Sequence, residues 1–489
     1  MKDRDIINMF DHVDPETLAE TDLGSGQELL GLESAGKGAL EKARTAASQP
    51  PKSRLLVKLA WKGMAAAAAA LAIVILSVFS ANVPQSARAI ASPEYPEGVS
   101  YYDYDGKRAK HQDLDQDFLT SLGQFAFSSA AEVFAQGDRS MNSVYSPLSL
   151  FYALALANEG AEGETQTELL QALHMPDINL VNSESGKLFK NLYTDNEIGK
   201  LLLANSLWLK EDVDFNKAFL ERAARDYFAH SFSVDFADSE TAKQISRWVS
   251  ENTGGKLGDD PKEFQAGPEQ MMSIINTVYF YDQWSDEFDR KLTKDDIFNL
   301  ADGSKVKVPF MNRTFMGEFA QEENCLVTSL GFKNDQHMLL ILPDEGVSPY
   351  DILSDPERLA DVLTAIDSES AKGGKIILSV PKFDFKARNN LKEVLTKLGV
   401  ELAFTEQADF TGLAATEPLF ISDVRQNLSI SIDEKGCEAA AYTEIRFLGS
   451  MPPDETIEMK LDRPFIFAIT GGAGDAPLFI GVVNNPAAH

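Results

Sequence analysis

Apolar and polar positions follow two periods along this chain. Leu391, Val394, Leu395 and Leu398 recur at the spacing of one helix face, and Gly399 follows as a stop. Ser146 can cap a helix whose first position is Pro147. Ile274 to Tyr281 and Met338 to Leu342 are short apolar runs rich in β-formers, suited to buried strands. Leu428, Ile430 and Ile432 alternate with Ser429 and Ser431, which predicts a strand with one buried face. Two further strands are expected over 464–469 and 478–483. Helix and strand patterns mix irregularly from 115 to 489, without a linker or repeat. The expectation is one α+β domain of about 370 residues around a single core.

Upstream the pattern changes. No charged residue lies between Lys62 and Arg88, and Leu71, Ile73, Val74, Ile75, Leu76, Val78 and Phe79 sit in that stretch. Roughly 20 apolar residues in a helix span a bilayer core. Lys52, Arg54, Lys58 and Lys62 crowd its upstream side, and Trp61 stands where an interfacial aromatic would. Positive flanks stay inside. The expected organisation is therefore an acidic cytoplasmic tail over 1–54, a membrane anchor over 55–82, a spacer over 83–114 and an outside domain over 115–489. The competing reading is a signal peptide cleaved at Ala87-Arg88-Ala89, which would release the domain.

Composition removes several functions. Acids outnumber bases 75 to 45, a net charge of −30, which argues against nucleic acid as a partner. Two cysteines, Cys325 and Cys437, supply neither a disulfide framework nor a thiolate metal cluster. The six histidines are scattered singly. No Gly-rich phosphate loop occurs. No metal or cofactor is expected.

One segment stands apart. Residues 433–450 lie between two strands and are too long for an ordinary connection. Gly436 offers a hinge. Beyond it Cys437, Ala439, Ala441, Thr443, Ile445 and Phe447 would face one way, all small or apolar. Glu438, Ala440, Tyr442, Glu444 and Arg446 would face the other. Such a segment can be an exposed loop in one state and a half-buried strand in another; a permanent edge strand or plain loop is the simpler alternative.

These residues, with others, resemble the serpins. The similarity covers roughly 115–487. It runs through 142–150 with Asn142, Ser146 and Pro147, then Gly160 to Thr165, Ala204 to Trp208, and Ile275 to Phe280 with Trp284 and Phe288. Val308 to Met311, Ile341 to Glu345, Val380 to Phe383 and Ala408 to Gly412 follow in family order, as do Asp433 to Gly436, Asp462 to Phe465 and Phe479 to Pro486.

The resemblance implies a fold of three sheets and about nine helices with an exposed reactive loop. It implies a monomeric suicide-substrate inhibitor of serine proteases rather than an enzyme. The protease cuts the loop, forms an acyl-enzyme, and is trapped when the loop inserts into the main sheet. By the same resemblance Glu434, Gly436, Cys437, Glu438, Ala439, Ala440 and Ala441 form the loop hinge. Asn142, Ser146, Trp284 and Gln426 belong to the region where the sheet opens. Counting from Glu434 places the reactive bond at Ser450–Met451, which suits an elastase- or subtilisin-like protease. Cleavage after Leu448 or Phe447 would suit a chymotrypsin-like one. Three departures stand out: Cys437 replaces a usual threonine, Gln426 a usual histidine, and Tyr442 a usual alanine. A non-inhibitory serpin acting as a binding or chaperone-like module is the alternative.

Overall fold

The computed structural model describes residues 87–488, apart from 416–418, 423, 438–454 and 475. The chain divides after Val83, and everything below concerns the second unit. Its strands are β1 (Ala87–Ala91), β2 (Ser143–Tyr145), β3 (Thr194–Asp195), β4 (Lys200–Lys210), β5 (Ala229–Val234), β6 (Met272–Gln283), β7 (Lys294–Asn299), β8 (Lys305–Glu322) and β9 (Cys325–Gly331). There follow β10 (His337–Pro343), β11 (Lys372–Pro381), β12 (Phe383–Asn390), β13 (Arg425–Asp433), β14 (Gly436–Cys437), β15 (Thr456–Lys460), β16 (Phe465–Thr470) and β17 (Phe479–Val483). The helices are α1 (Tyr104–Lys110), α2 (Gln116–Gln136), α3 (Pro147–Asn158), α4 (Gly163–Ala172), α5 (Ile178–Leu192), α6 (Lys217–Asp226), α7 (Ser239–Asn252), α8 (Pro349–Leu353), α9 (Pro356–Thr364) and α10 (Lys392–Lys397).

One sheet runs β1-β5-β4-β6-β14-β13-β12, with β3 on β4. The other runs β15-β11-β8-β9-β10-β16-β17-β2, with β7 on β8. The three expected sheets thus appear as two hydrogen-bonded ladders. The reason is β8, whose early residues pair with β7 and β11 and whose last four pair with β9. One long strand joins what two shorter ones would keep apart.

The core forms where both sheets meet α2 and α3. Phe118, Leu122 and Phe125 of α2 are fully buried, as are Phe151 and Tyr152 of α3. Helix α3 starts as its sequence dictates: the Ser146 hydroxyl accepts from the Ser149 N–H, with Pro147 at the first position. A smaller apolar cluster holds Trp208, Phe236, Ile245 and Trp248 between α7 and the first sheet.

The spacer expected over 83–114 is structured from Ala87 onward. β1 pairs antiparallel with β5, Ala87 facing Val234 and Ala89 facing Phe232. Tyr95 packs among Phe189, Tyr193, Phe228 and His230 at centroid distances of 5.7–6.2 Å. Short β-compatible runs and single aromatics carry no sustained period, which hides such a docked segment in the sequence. Helix α1 brings the α-helices among the described residues to ten. The expected tail and anchor lie outside the described residues. Among those described, no helix is long and apolar enough to cross a membrane.

Candidate functional site

The candidate site is the end of the first sheet where β6, β13 and β14 meet. β13 ends at Asp433, turns through Glu434 and Lys435, and re-enters the sheet as β14. Cys437 lies opposite Ile432 on one side and Asp282 on the other; Gly436 lies opposite Asp433 and Gln283. Among the described residues β6 and β13 share no ladder of their own, so β14 stands between two strands that both run on beyond it.

Gly436 is required here by geometry. Its φ is 145°, and a Cβ at this position would stand 2.2 Å from the Asp282 carbonyl oxygen and 2.8 Å from Gln283 Cα. No L side chain fits that approach. Cys437 is buried, forms no disulfide, and its thiol donates to the Phe280 carbonyl at 3.7 Å. Cys325 is also buried and outside any disulfide, on β9 in the other sheet, and burial pushes its thiol pKa up to about 12.

Trp284 pins the turn. Its indole Nε1 donates to the Asp433 carbonyl at 2.9 Å, and its backbone N–H donates to the Lys435 carbonyl at 2.9 Å. The ring stacks on Phe332 at 4.4 Å with planes 10° apart. Phe288 donates its N–H to the Glu434 carbonyl at 2.8 Å and packs edge-on against the indole.

The Glu434 side chain is tied down separately. Its carboxylate accepts from Lys382 Nζ at 2.8 Å and from the Thr293 hydroxyl at 2.9 Å. Burial opposes its ionisation, but Lys382, a backbone N–H and Thr293 together hold the pKa below the ordinary carboxylate value. Asp282 goes the other way. It is buried directly across from Cys437, and burial raises its pKa to about 6 against the hydrogen bonds from Asn334 and Gln283. The Asn334 backbone N–H reaches one carboxylate oxygen at 2.9 Å and its side-chain amide the other at 3.1 Å.

Gln426 is buried and satisfied by Ser146. Its Nε2 donates to the Ser146 carbonyl at 2.8 Å and its Oε1 accepts from the Ser146 N–H at 3.1 Å. The two groups thus hold each other in both directions in a buried setting. Asn389 of β12 donates to the Val144 carbonyl at 2.9 Å and reaches Gln426 at 3.4 Å.

The four residues expected together at the sheet-opening region therefore separate. Ser146 and Gln426 meet where the start of α3 supports β13. Trp284 belongs to the hinge end of β6. Asn142 binds the chain's C-terminal stretch: its amide donates to the Asn485 carbonyl at 2.7 Å, and its Oδ1 accepts from the N–H groups of Asn484 and Asn485. Of the hinge residues, Glu434, Gly436 and Cys437 come together. Glu438, Ala439, Ala440 and Ala441 lie outside the described residues, as does the Ser450–Met451 bond. Sequence reading missed Lys382, Thr293, Asp282, Asn334 and Asn389. Of these only Lys382, in the Val380 to Phe383 block, carried a visible signal.

A protein-family model described as "Serpin (serine protease inhibitor)" matches residues 120–486. The chain is a serpin. It is 30% identical over 377 residues to the alpha-1-antiproteinase of Rattus norvegicus, covering 75% of this chain and 89% of that protein. The native state of the thermophilic serpin tengpin superposes with a TM-score of 0.70 at 30% identity, over 82% of this chain and all of tengpin. Thyroxine-binding globulin, solved in complex with thyroxine, superposes at 0.65 and 28% identity, over 75% of this chain and 99% of its own. Of the three departures noted in the sequence, Cys437 and Gln426 are placed in this serpin as described above, and Tyr442 lies outside the described residues.

Proposed function

We propose that this serpin inhibits serine proteases outside the cytoplasm, as a suicide substrate whose cut loop becomes a central strand of the first sheet. The observation that carries the reading is β14, seated between β6 and β13. Continuing its register puts Ala439 opposite Phe280 and Ile430, and Ala441 opposite Val278 and Leu428. Thr443 would face Asn276 and Gln426, Ile445 Ile274, and Phe447 Met272, the first residue of β6. Residues directly opposite in an antiparallel ladder share a face. The apolar side of the loop therefore lands on the buried side of the sheet, where Phe280, Val278, Ile430 and Leu428 already lie.

The chemistry belongs to the protease. Its serine attacks the loop carbonyl, expected at Ser450, and the peptide nitrogen of Met451 leaves with a proton. The resulting ester waits for water. Cutting frees the loop to zip down between β6 and β13. Each ladder hydrogen bond adds roughly 0.5–1.5 kcal/mol, and burying Ile445 and Phe447 adds roughly 1.5–3 kcal/mol apiece. Insertion carries the acyl-linked protease away before hydrolysis.

The N-terminal stretch 55–82 is read as an anchor that keeps the domain at the outer membrane face. The pairing of Ala87, Arg88 and Ala89 within β1 supports retention, because cleavage after Ala89 would discard part of a sheet strand. The second reading is a non-inhibitory binding module, favoured by the likeness to a thyroxine-binding globulin. Incubation with a panel of serine proteases followed by denaturing electrophoresis separates the two. The inhibitor reading expects a band near the summed masses; clean nicking with protease activity retained would leave the binding module.

A further inference from the structure

Asp282 is 1% exposed near the end of β6, and Cys437 of β14 lies directly across from it. Residues opposite each other in an antiparallel ladder share a face, so β14 covers the carboxylate. Three N–H groups donate to that carboxylate: the Gln283 backbone at 2.8 Å, the Asn334 backbone at 2.9 Å and Asn334 Nδ2 at 3.1 Å. Asn334 is itself held, its Oδ1 accepting from Asn196 Nδ2 at 2.8 Å. Gly199 closes the other side, where a Cβ would stand 2.7 Å from Asp282 Oδ1. These groups belong to β6 and to the turns after β3 and β9. They stay with the carboxylate whether β14 is seated or not.

The charged neighbours are committed elsewhere. Lys333 acts on Asp282, but its ammonium is bonded to Gln283 Oε1 at 2.8 Å and lies 3.9 Å from Glu287. Beside the β3–β4 turn, Lys200 is paired with Asp195 and Glu197 accepts from Ser100. Tyr101 of the N-terminal segment is within electrostatic reach of Asp282 and Asp335. In the turn before β14, Glu434 is bonded to Lys382 and Thr293, and the Lys435 N–H to Asp433. Burial therefore outweighs the three hydrogen bonds and raises the Asp282 pKa to about 6. We propose that Asp282 is a proton-operated latch on β14. With the carboxyl protonated, β14 stays seated between β6 and β13. With the carboxylate ionised, β14 lifts, water reaches the charge, and the chain beyond is held at the turn that Trp284 pins. Lifting breaks the two-residue ladder and uncovers Cys437, and it keeps every N–H donor named above on the charge.

The latch concerns β14 alone and holds for the inhibitor and the binding module alike, so its failure leaves both readings where they stand. Cys437 reports it. The full chain is treated with 4,4′-dithiodipyridine from pH 5 to pH 8, and peptide mass spectrometry identifies the labelled cysteine. Each rate is divided by that of the same chain unfolded in urea at the same pH, which removes the thiol's own ionisation. The normalised rate at Cys437 should rise about tenfold from pH 5 to pH 7.5 and level off above. Linkage gives that ratio for a carboxyl with a pKa of about 6 when covered and 3.8 when uncovered. Asp282→Asn should show no rise. Cys325, buried in the other sheet, should keep a flat normalised rate in both proteins. A flat wild-type profile at Cys437, or a rise that Asp282→Asn retains, would overturn the latch. So would an equal rise at Cys325, because the opening would then be that of the whole domain.

Discussion

The indole of Trp284 donates to the Asp433 carbonyl at 2.9 Å while its backbone N–H holds the Lys435 carbonyl. One residue at the end of β6 thus fixes both sides of the turn between β13 and β14. Trp284→Phe keeps the contact with Phe332 but removes the side-chain donor. A fully buried carbonyl left unpaired costs about 1–3 kcal/mol, and this half-buried one should cost about the lower end of that range. The denaturant midpoint of the intact protein should fall accordingly, and an unchanged midpoint would mean that the hydrogen bond contributes nothing.

Gly436→Ala tests the close approach at the hinge. The added methyl would stand 2.2 Å from the Asp282 carbonyl oxygen in a backbone conformation that alanine rarely adopts. β14 cannot form around it, so insertion loses its starting point. We expect loop cleavage at a normal rate with the covalent complex reduced in favour of nicked protein. A wild-type yield of complex on a denaturing gel would contradict this.

Gln426→Ala tests the support of β13 from α3. The variant leaves the buried Ser146 N–H without its partner, while the Ser146 carbonyl keeps only the Leu150 N–H at 3.4 Å. One unpaired group should cost about 1–3 kcal/mol, measured by urea unfolding. Gln426→His, which offers one donor and one acceptor on a different frame, should recover part of that loss.

Much of this architecture was legible because it follows from periodicity. The alternation of Leu428, Ile430 and Ile432 gave β13, and Ser146 with Pro147 marked the start of α3. A special backbone demand at Gly436 was legible too, since only a glycine meets the close approach there. What escaped is long-range. Asp282 is an acid inside an apolar strand, and its role depends on Asn334, distant in sequence. Lys382 and Glu434 are separated by two strands and a helix, and no local pattern pairs them. Asn142 and Gln426 were grouped by resemblance, yet the fold sends one to the C-terminal stretch and the other to Ser146. β1 was hidden because five residues at a sheet edge need little hydrophobic content.

Tyr95 measures what that docked N-terminal segment contributes. Its ring lies among four aromatic partners on α5, β5 and the turns beside them. Tyr95→Ala should lower stability by about 2–3 kcal/mol through lost burial and ring contacts. Tyr95→Phe, which gives up only the hydroxyl, should be close to neutral. If both variants unfold at the wild-type midpoint, the segment rests on the domain without stabilising it.

The two carboxylates at the hinge predict opposite pH dependences. Asp282 has its pKa raised in the fold to about 6 from an ordinary 3.8. Between those values the folded protein binds the proton that the unfolded chain has released, so this contribution is complete below pH 3.8 and is lost as pH rises through 6. Two pKa units correspond to at most about 3 kcal/mol. Glu434 has its pKa lowered, so its contribution is present above pH 4.5 and is lost as pH falls through the folded value. The intact protein should therefore gain stability on going from pH 7 to pH 5, then lose it below pH 4.5. Thermal scans of wild type and Asp282→Asn across this range decide the matter. The variant should lack the gain between pH 7 and pH 5, and a slope there equal to that of wild type would place the titrating group elsewhere.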